Sequence, residues 1–333
     1  MINALAILEP GGKLEPFRYD PGELSTHDVE IAVSHCGICH SDLSMIDNEW
    51  GRSQYPLVPG HEVVGTISAL GSNVKNLSLG QNVGLGWQSS YCNHCSLCMN
   101  GDHNLCREAQ PTIVGRHGGF ADKVRADATS VVPIPDGIAL DTAGPMFCAG
   151  STVFNPLVEY EIKPTAKVGV IGIGGLGHLA LKFLNAWGCE VTAFTSSESK
   201  ASEASALGAH NTINSRDPEQ IKQAKDRFDF ILSTVNVKLD WNLYLTTLSP
   251  RGRLHFVGIT LEPLDIAVFS MLGSLRSVSA SPVSSPTTMS RMLEFARRHN
   301  IQPSVEKFRF DDANDAVDRL RSGEAHYRVV LER

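Results

Sequence analysis

"KVGVIGIGGLGHLALKF", residues 167–183, runs a short apolar stretch into a glycine-rich turn and then into a helical pattern. Gly172, Gly174 and Gly177 stand in G-x-G-x-x-G register, with Gly175 and Leu176 inside the turn. Alone, that spacing is often only a turn. Between an apolar strand and an amphipathic helix it reads as the dinucleotide fingerprint. The turn is tight, the backbone can approach a pyrophosphate, and a helix N-terminus is aimed at the charge. The helix shows its stripe in Leu176, Leu179, Ala180, Phe183, Leu184 and Trp187, at three- and four-residue spacing.

About twenty residues further on, an NAD-selective site carries Asp or Glu at the end of the second strand, on the ribose hydroxyls. Here the chain reads "FTSSESK" (194–200), which offers Thr195, Ser196, Ser197 and Lys200. Hydroxyls and a cation suit an adenosine 2′-phosphate, whose charge a carboxylate would repel, so NADP(H) is the expected cofactor. Glu198 lies in the same stretch, and the competing reading is a solvated serine-rich loop that opens the next helix.

Around this turn, apolar strands "EVTAFT" (190–195), "DFILSTV" (229–235) and "RLHFVG" (253–258) alternate with helical patterns from about residue 151. Alternation of that kind implies βαβ units and a doubly wound parallel sheet, an α/β fold. The first half differs. Short β-like runs, "VEIAV" (29–33), "VVGTISAL" (63–70), "NVGLG" (82–86) and "SVVPIP" (130–135), are broken by Gly, Pro, Asn and Asp. They suggest a small, mostly antiparallel β domain over residues 1–150. Two helical patterns follow "SASPVSSPTT" (279–288), around 288–299 and 311–322. Asp311 and Asp312 offer caps at the start of the second and Gly323 at its end, before a last strand-like "YRVVLE".

Acidic residues outnumber basic ones 36 to 29, a formal charge of −7, which argues against a nucleic-acid or anionic-membrane partner. The first basic residue, Lys13, follows the apolar start, and no run approaches the roughly 18–20 apolar residues that span a bilayer. A cytoplasmic location is expected. There thiols stay reduced, and clustered cysteines bind metal more often than they pair.

"CNHCSLCMNGDHNLC" gives Cys92, Cys95, Cys98 and Cys106, four thiols within a lobe spanning about residues 88–108. They can close a tetrahedral structural zinc site. An iron–sulfur cluster competes, but its fourth cysteine usually has other spacing and a following proline. His94 and His103 read as bystanders. Earlier, "HCGICHSDL" (35–43) fits a haem attachment, a redox dithiol or a metal site. Haem is disfavoured by the expected compartment. Cys39, His61, Glu62 and Cys148 are further candidates, each alone as consistent with packing as with chemistry.

Taken together these residues resemble the zinc-dependent medium-chain alcohol dehydrogenases, in their cinnamyl alcohol dehydrogenase-like branch. "GHEVVGTISALGSNV" (60–74) fits the zinc signature G-H-E-x2-G-x5-G-x2-V through Gly60, His61, Glu62, Gly65, Gly71 and Val74. "CGICHSD", the four-cysteine lobe, "CAGSTV" and "GIGGLGHLALK" follow in family order, so the resemblance covers nearly the whole chain. It implies a GroES-like catalytic domain (1–150), a Rossmann domain (151–285) and a C-terminal return to the catalytic domain (286–333). It implies two zinc ions per chain, the catalytic one on Cys39, His61 and Cys148. Cys36 then holds a variable position as a buried thiol, Glu62 lies beside the metal or ligates it, and Asp42 accepts from His61. Thr152 matches the residue against the nicotinamide, and His40 and Arg328 match positions that reach the pyrophosphate.

The activity this implies is hydride transfer between NADP(H) and a primary alcohol or aldehyde, with zinc polarising the carbonyl and Ser41 passing the proton. One departure stands out. Relatives end the proton relay on a histidine three residues after that hydroxyl; this chain has Ser44. Alcohol oxidation is therefore expected to be weak near pH 7. Trp50, Trp87 and Phe147 are candidates for an apolar substrate pocket or for core. The alternatives are an NAD-linked polyol dehydrogenase, disfavoured by the Thr195–Lys200 stretch, and a non-catalytic NADPH-binding sensor or structural protein, which needs no open zinc site. The expected assembly is a homodimer or homotetramer.

Overall fold

The computed structural model describes residues 1–333. The chain gathers into two compact units, Met1–Ser151 with Val283–Arg333, and Thr152–Pro282. The sequence placed the two changes at 150/151 and 285/286.

The second unit is built on six parallel strands in the order Asn211–Asn214, Glu190–Thr195, Lys167–Ile171, Phe228–Ser233, Leu248–Phe256, Ser277–Ala280. Numbered along the chain this is 3-2-1-4-5-6, the doubly wound order of dinucleotide-binding sheets. Val168, Val170, Val191, Ala193, Ile231 and Leu232 are fully buried, as strands covered on both faces by helices must be. Phe194, Phe228, Trp241 and Tyr244 fill one side. Short polar side chains start the helices. Ser197 accepts from Lys200 N–H, Asp217 from Glu219 and Gln220, and Asp240 from Leu243. The helix Gly177–Trp187 stops at Gly188, whose φ of 105° favours glycine.

The first unit carries a seven-stranded sheet. Six strands run in the order Val305–Arg309, Arg328–Glu332, Asp28–Ile38, Glu62–Leu70, Asn82–Leu85, Val131–Pro133, and Lys123–Asp127 also pairs with Asp28–Ile38. All pairs are antiparallel except the first. This is the GroES-like, mostly-β half of an α/β protein. Asp28–Ile38 changes register twice against Glu62–Leu70, near Glu30 and Val33; such bulges bend a strand and re-aim its end. The core beneath is Val29, Ile31, Ile38, Met45, Val63, Val83, Phe120 and Val329, all fully buried.

The C-terminal segment returns to this unit because Arg328–Glu332 slots between Val305–Arg309 and Asp28–Ile38. Its helices are Pro286–His299, capped by Ser285, and Ala313–Arg321. The second differs from the expected 311–322. Phe310–Asp312 is a tight 3-10 turn, and Asp312 makes no side-chain cap bond. No helix is long and apolar enough to cross a membrane.

Candidate active site

The strand Asp28–Ile38 delivers the chain to Cys39, whose extended backbone (φ −124°, ψ 166°) makes it the N-cap of the helix His40–Ile46. Its sulfur accepts the Ser41 N–H at 3.3 Å, and Asp42 Oδ2 accepts the Cys39 N–H at 3.0 Å. This is a capping box with sulfur in place of the usual hydroxyl. The other Asp42 oxygen takes the Gly60 N–H at 2.9 Å and lies 3.0 Å from His61 Nδ1. One buried carboxylate therefore ties the cap of its own helix to the Gly60–His61 segment.

Cys148 arrives from another direction, after the tight turn Gly144–Phe147, and its sulfur lies 3.9 Å from that of Cys39. Donor atoms of Cys39, His61, Glu62 and Cys148 all fall within 4.8 Å of one another. His61 Nε2 is buried without a partner, as is Glu62 Oε2. A proton on Nδ1, facing Asp42, leaves the Nε2 lone pair directed at the cluster. Two sulfurs and an imidazole nitrogen with no other use for its lone pair are a donor set that zinc fits.

The electrostatics set which protons a bound zinc would displace. A hydrogen bond from the Cys148 thiol, together with His61, holds Cys39 well below the usual thiol range; the same contact and burial push Cys148 well above it. Burial works against charge on His61, but Asp42 and Cys39 outweigh it and raise its pKa well above the ordinary value. Burial lifts Glu62 to about 7, partly offset by Arg328. The Arg328 side chain is buried with its Nη2 donating to Glu62 Oε1, and Nε is without a partner. Sequence reasoning gave Arg328 a pyrophosphate to bind; it missed that Glu62, a buried carboxylate, requires a counter-ion.

Around this cluster, the Trp87 ring stands edge-on to His61 at 5.0 Å, and Trp50 stands edge-on to Trp87 at 5.9 Å. Both indoles stay partly exposed. Phe147 is different and takes the second of its two readings. It is fully buried over Gly84, where a Cβ would lie 2.0 Å from its ring, so it is core. Cys36 is a buried thiol that takes no part in the cluster. His40 is exposed and Ser41 half-buried, one turn before Ser44. Ser44 itself is buried and donates to Glu49 Oε2 at 2.7 Å. Glu49 was not foreseen; its place just past the helix end, one loop from Ser44, was the available signal.

In the four-cysteine lobe, Cys95 caps the helix Ser96–Asn100 by accepting the Cys98 N–H, and Cys92 accepts the Cys95 N–H at 3.4 Å. Cys92 lies 3.8 Å from Cys98 and 3.6 Å from Cys106, sulfur to sulfur, and all four donors fall within 4.8 Å. His94 binds the Cys92 carbonyl, and His103 packs on Tyr91. His94 and Glu108 also come near Cys92, but the four thiols are a complete tetrahedral set without them.

In the second unit, Gly172 has φ of 88°, and a Cβ on Gly177 would sit 1.9 Å from the Gly172 carbonyl, while Gly174 faces open space. The first two features close the turn; the third leaves the backbone approachable. Gly175 and Leu176 lie in the turn just before the helix Gly177–Trp187. Thr195 ends its strand buried, whereas Ser196, Ser197 and Lys200 are exposed or nearly so at the start of the helix Glu198–Ala206. Thr152 is buried in the helix Ala149–Glu159.

A doubly wound nucleotide-binding sheet, a GroES-like sheet and a sulfur–imidazole cluster with an unused ring nitrogen define a metal-centred, dinucleotide-dependent oxidoreductase. The alcohol dehydrogenase GroES-like domain family matches residues 25–136, and the zinc-binding dehydrogenase family matches residues 175–298. Aldehyde reductase AdhA of Synechocystis sp. is 62% identical over 331 residues, covering 99% of this chain and 98% of its own. Cinnamyl alcohol dehydrogenase 7 of Arabidopsis thaliana is 38% identical, covering 98% and 94%. Among solved structures, the cinnamyl alcohol dehydrogenase SbCAD4 of Sorghum bicolor superposes with a TM-score of 0.95 at 35% identity, covering 99% and 97%. The cinnamyl alcohol dehydrogenase of Helicobacter pylori, complexed with NADP(H), does so with a TM-score of 0.90 at 29% identity, also covering 99% and 97%. The chain belongs to the zinc-dependent medium-chain alcohol dehydrogenases, in the cinnamyl alcohol dehydrogenase-like branch, and is an alcohol dehydrogenase/aldehyde reductase that uses zinc and a nicotinamide cofactor.

Proposed function

We propose that the chain is an NADP(H)-dependent aldehyde reductase with two zinc ions, one catalytic on Cys39, His61 and Cys148 and one structural on Cys92, Cys95, Cys98 and Cys106. The observation that carries it is the unpartnered His61 Nε2 between two sulfurs, which gives three ligands and leaves a coordination position open. When bound, zinc supplies a Lewis acid to the carbonyl oxygen and the nicotinamide supplies hydride. The protein does the rest. Asp42 fixes the His61 tautomer and the entry of the helix His40–Ile46; Ser41, two residues past Cys39, passes the proton. Trp87 and Trp50 give the substrate an apolar, aromatic wall. Glu62 stands next to the ligands as a held-back carboxylate, its charge compensated by Arg328.

For the cofactor, Gly172, Gly174, Gly175, Leu176 and Gly177 take the pyrophosphate, Thr152 packs on the nicotinamide, and exposed His40 meets a phosphate. Arg328 serves Glu62 first. Ser196, Ser197 and Lys200, supported by Thr195, take the 2′-phosphate; the NADP(H) complex of the Helicobacter pylori relative favours this choice. The reduced thiols that both clusters require fit a cytoplasmic location, and the assembly is a homodimer or homotetramer. The test is a panel of aromatic and aliphatic aldehydes assayed with NADPH and NADH, alongside zinc analysis. Failure to reduce any aldehyde with either cofactor, or full activity after zinc removal, would overturn the reading.

A further inference from the structure

The four-cysteine lobe has a closed side and an open one. Cys98 and Cys106 are buried, whereas Cys92 and Cys95 keep part of their surface in water. A cation arriving from solvent meets the open pair first. Beside Cys92 stand two more donors. The turn that carries His94 back over Cys92 passes through Asn93, at φ 60°, and His94 Nδ1 lies 2.7 Å from the Cys92 carbonyl. A carbonyl only accepts, so in the neutral ring the proton sits on Nδ1 and the Nε2 lone pair is left for another partner. Metal-bound histidines are commonly oriented in this way. Glu108, two residues past Cys106, comes in from the other end of the lobe. Donor atoms of Cys92, His94 and Glu108 fall within 4.8 Å of one another, and the last two residues are exposed. As a surface ion pair alone, His94 and Glu108 would contribute little to stability, and the nearby sulfur would have no part in it.

We propose that Cys92, His94 and Glu108 form an exchange site through which divalent cations enter and leave the four-cysteine site. The proposal rests on the structural zinc assigned to Cys92, Cys95, Cys98 and Cys106 above. The donors set the class of ion. A thiolate, an imidazole and a carboxylate suit zinc or cadmium, whereas magnesium and calcium need shells of oxygen that this set does not supply. Three mixed donors hold such an ion less firmly than four thiolates, as a passage site requires. Cys92 belongs to both sets, so its sulfur can take hold of an incoming ion while it still faces Cys98 and Cys106, 3.8 and 3.6 Å away. Exchange trades one divalent ion for another. Sulfur bonds to the outgoing ion break as bonds to the incoming one form, every thiolate stays deprotonated, and no electron moves. His94 and Glu108 let go at the end and stand outside the closed set.

The experiment adds cadmium to the zinc-loaded protein and follows its replacement of zinc by the thiolate-to-cadmium ultraviolet band. Cadmium NMR separates the four-sulfur site from the two-sulfur one, so the lobe is read by itself. The variants are His94→Ala and Glu108→Gln. At cadmium concentrations too low to fill the exchange site, the rate is proportional to the affinity of that site. Each variant should therefore slow replacement at the lobe by at least about tenfold, the low end of what losing a metal-site partner costs. Zinc content before cadmium is added should stay at two per chain, because the four thiols remain. A purely structural role for His94 predicts the opposite sign, since loss of its bond to the Cys92 carbonyl would loosen the lobe and speed replacement. Faster or unchanged replacement in His94→Ala, or an unchanged rate in Glu108→Gln, overturns the exchange site. Unmutated protein that carries no metal at the lobe and forms no four-sulfur cadmium resonance would instead overturn the structural-zinc reading beneath it.

Discussion

Asp42 holds the Cys39 N–H, the Gly60 N–H and the His61 ring with one carboxylate, so its replacement reaches the metal through its ligands. Asp42→Asn keeps the volume but weakens the hold on Nδ1–H. Loss of such a partner commonly costs about 10- to 100-fold in metal affinity or activity, and the expected outcome is a folded protein whose zinc content drops from two toward one under mild chelation. Cys148→Ala should give the same count with no activity and with cofactor binding intact, checked by metal analysis and NADPH fluorescence titration. Cys106→Ala should behave differently. It opens the lobe site, where the proposed structural zinc would contribute folding free energy directly, so its thermal midpoint should fall along with its zinc. At the cofactor end, Lys200→Ala should raise the KM for NADPH about 10- to 100-fold and leave that for NADH nearly unchanged, the equivalent of roughly 1.5–3 kcal/mol for a charge-assisted hydrogen bond. Equal efficiency with both cofactors in the unmutated enzyme would remove the basis for the assignment.

Among the elements, the strand Ser277–Ala280 at the sheet edge shows what the sequence could and could not disclose. Lys167–Ile171 and Glu190–Thr195 were legible to the residue, because apolar runs between helices are unambiguous in a buried parallel sheet. Ser277–Ala280 and Asn211–Asn214 were not, because edge strands of "SVSA" and "NTIN" carry no apolar signature. What fixes the first of them is a side chain from its neighbour. His255, buried in Leu248–Phe256, places its two ring nitrogens 2.9 Å from Ser279 Oγ and 2.9 Å from Ser281 Oγ. Burial, with a contribution from Arg253, lowers its pKa to about 4 from an ordinary 6.5. Between these values the unfolded chain binds a proton that the folded chain refuses. The stabilisation is therefore complete above about pH 6.5 and is lost as pH falls toward 4, on the order of 2 kcal/mol across the window. Chemical denaturation at pH 7 and pH 5 should show that loss, and His255→Gln, which keeps a donor and an acceptor without titrating, should shrink the difference by at least half. The active site was legible for a related reason. Cys39, His61 and Cys148 recur in a known order, but the Glu62–Arg328 pair depends on a contact between distant segments that spacing does not encode.

For the molecule as a whole, the remaining question is why the second unit shows so much apolar surface. Ile259, Leu261, Val268, Phe269, Leu272 and Leu275 are each more than half exposed, Phe269 at 88%. They lie in the segment of chain that leads into Ser277–Ala280, the last strand in its sheet. An uncovered edge with an apolar surround is a liability that folded proteins normally hide. The stretch Ile266–Leu275 contains no charged residue, so two copies meeting there face no like-charge repulsion, and a two-fold contact needs a surface that tolerates itself. A homodimer through this face satisfies both conditions. Phe269→Glu combined with Leu272→Glu should convert the dimer to monomer, or a tetramer to a smaller species, in light scattering coupled to size exclusion. Neither residue touches the zinc cluster or the glycine turn, so zinc content should stay at two per chain. If the doubly substituted protein keeps the mass of the unmutated one, the assembly uses another face and the apolar stretch has some other cover.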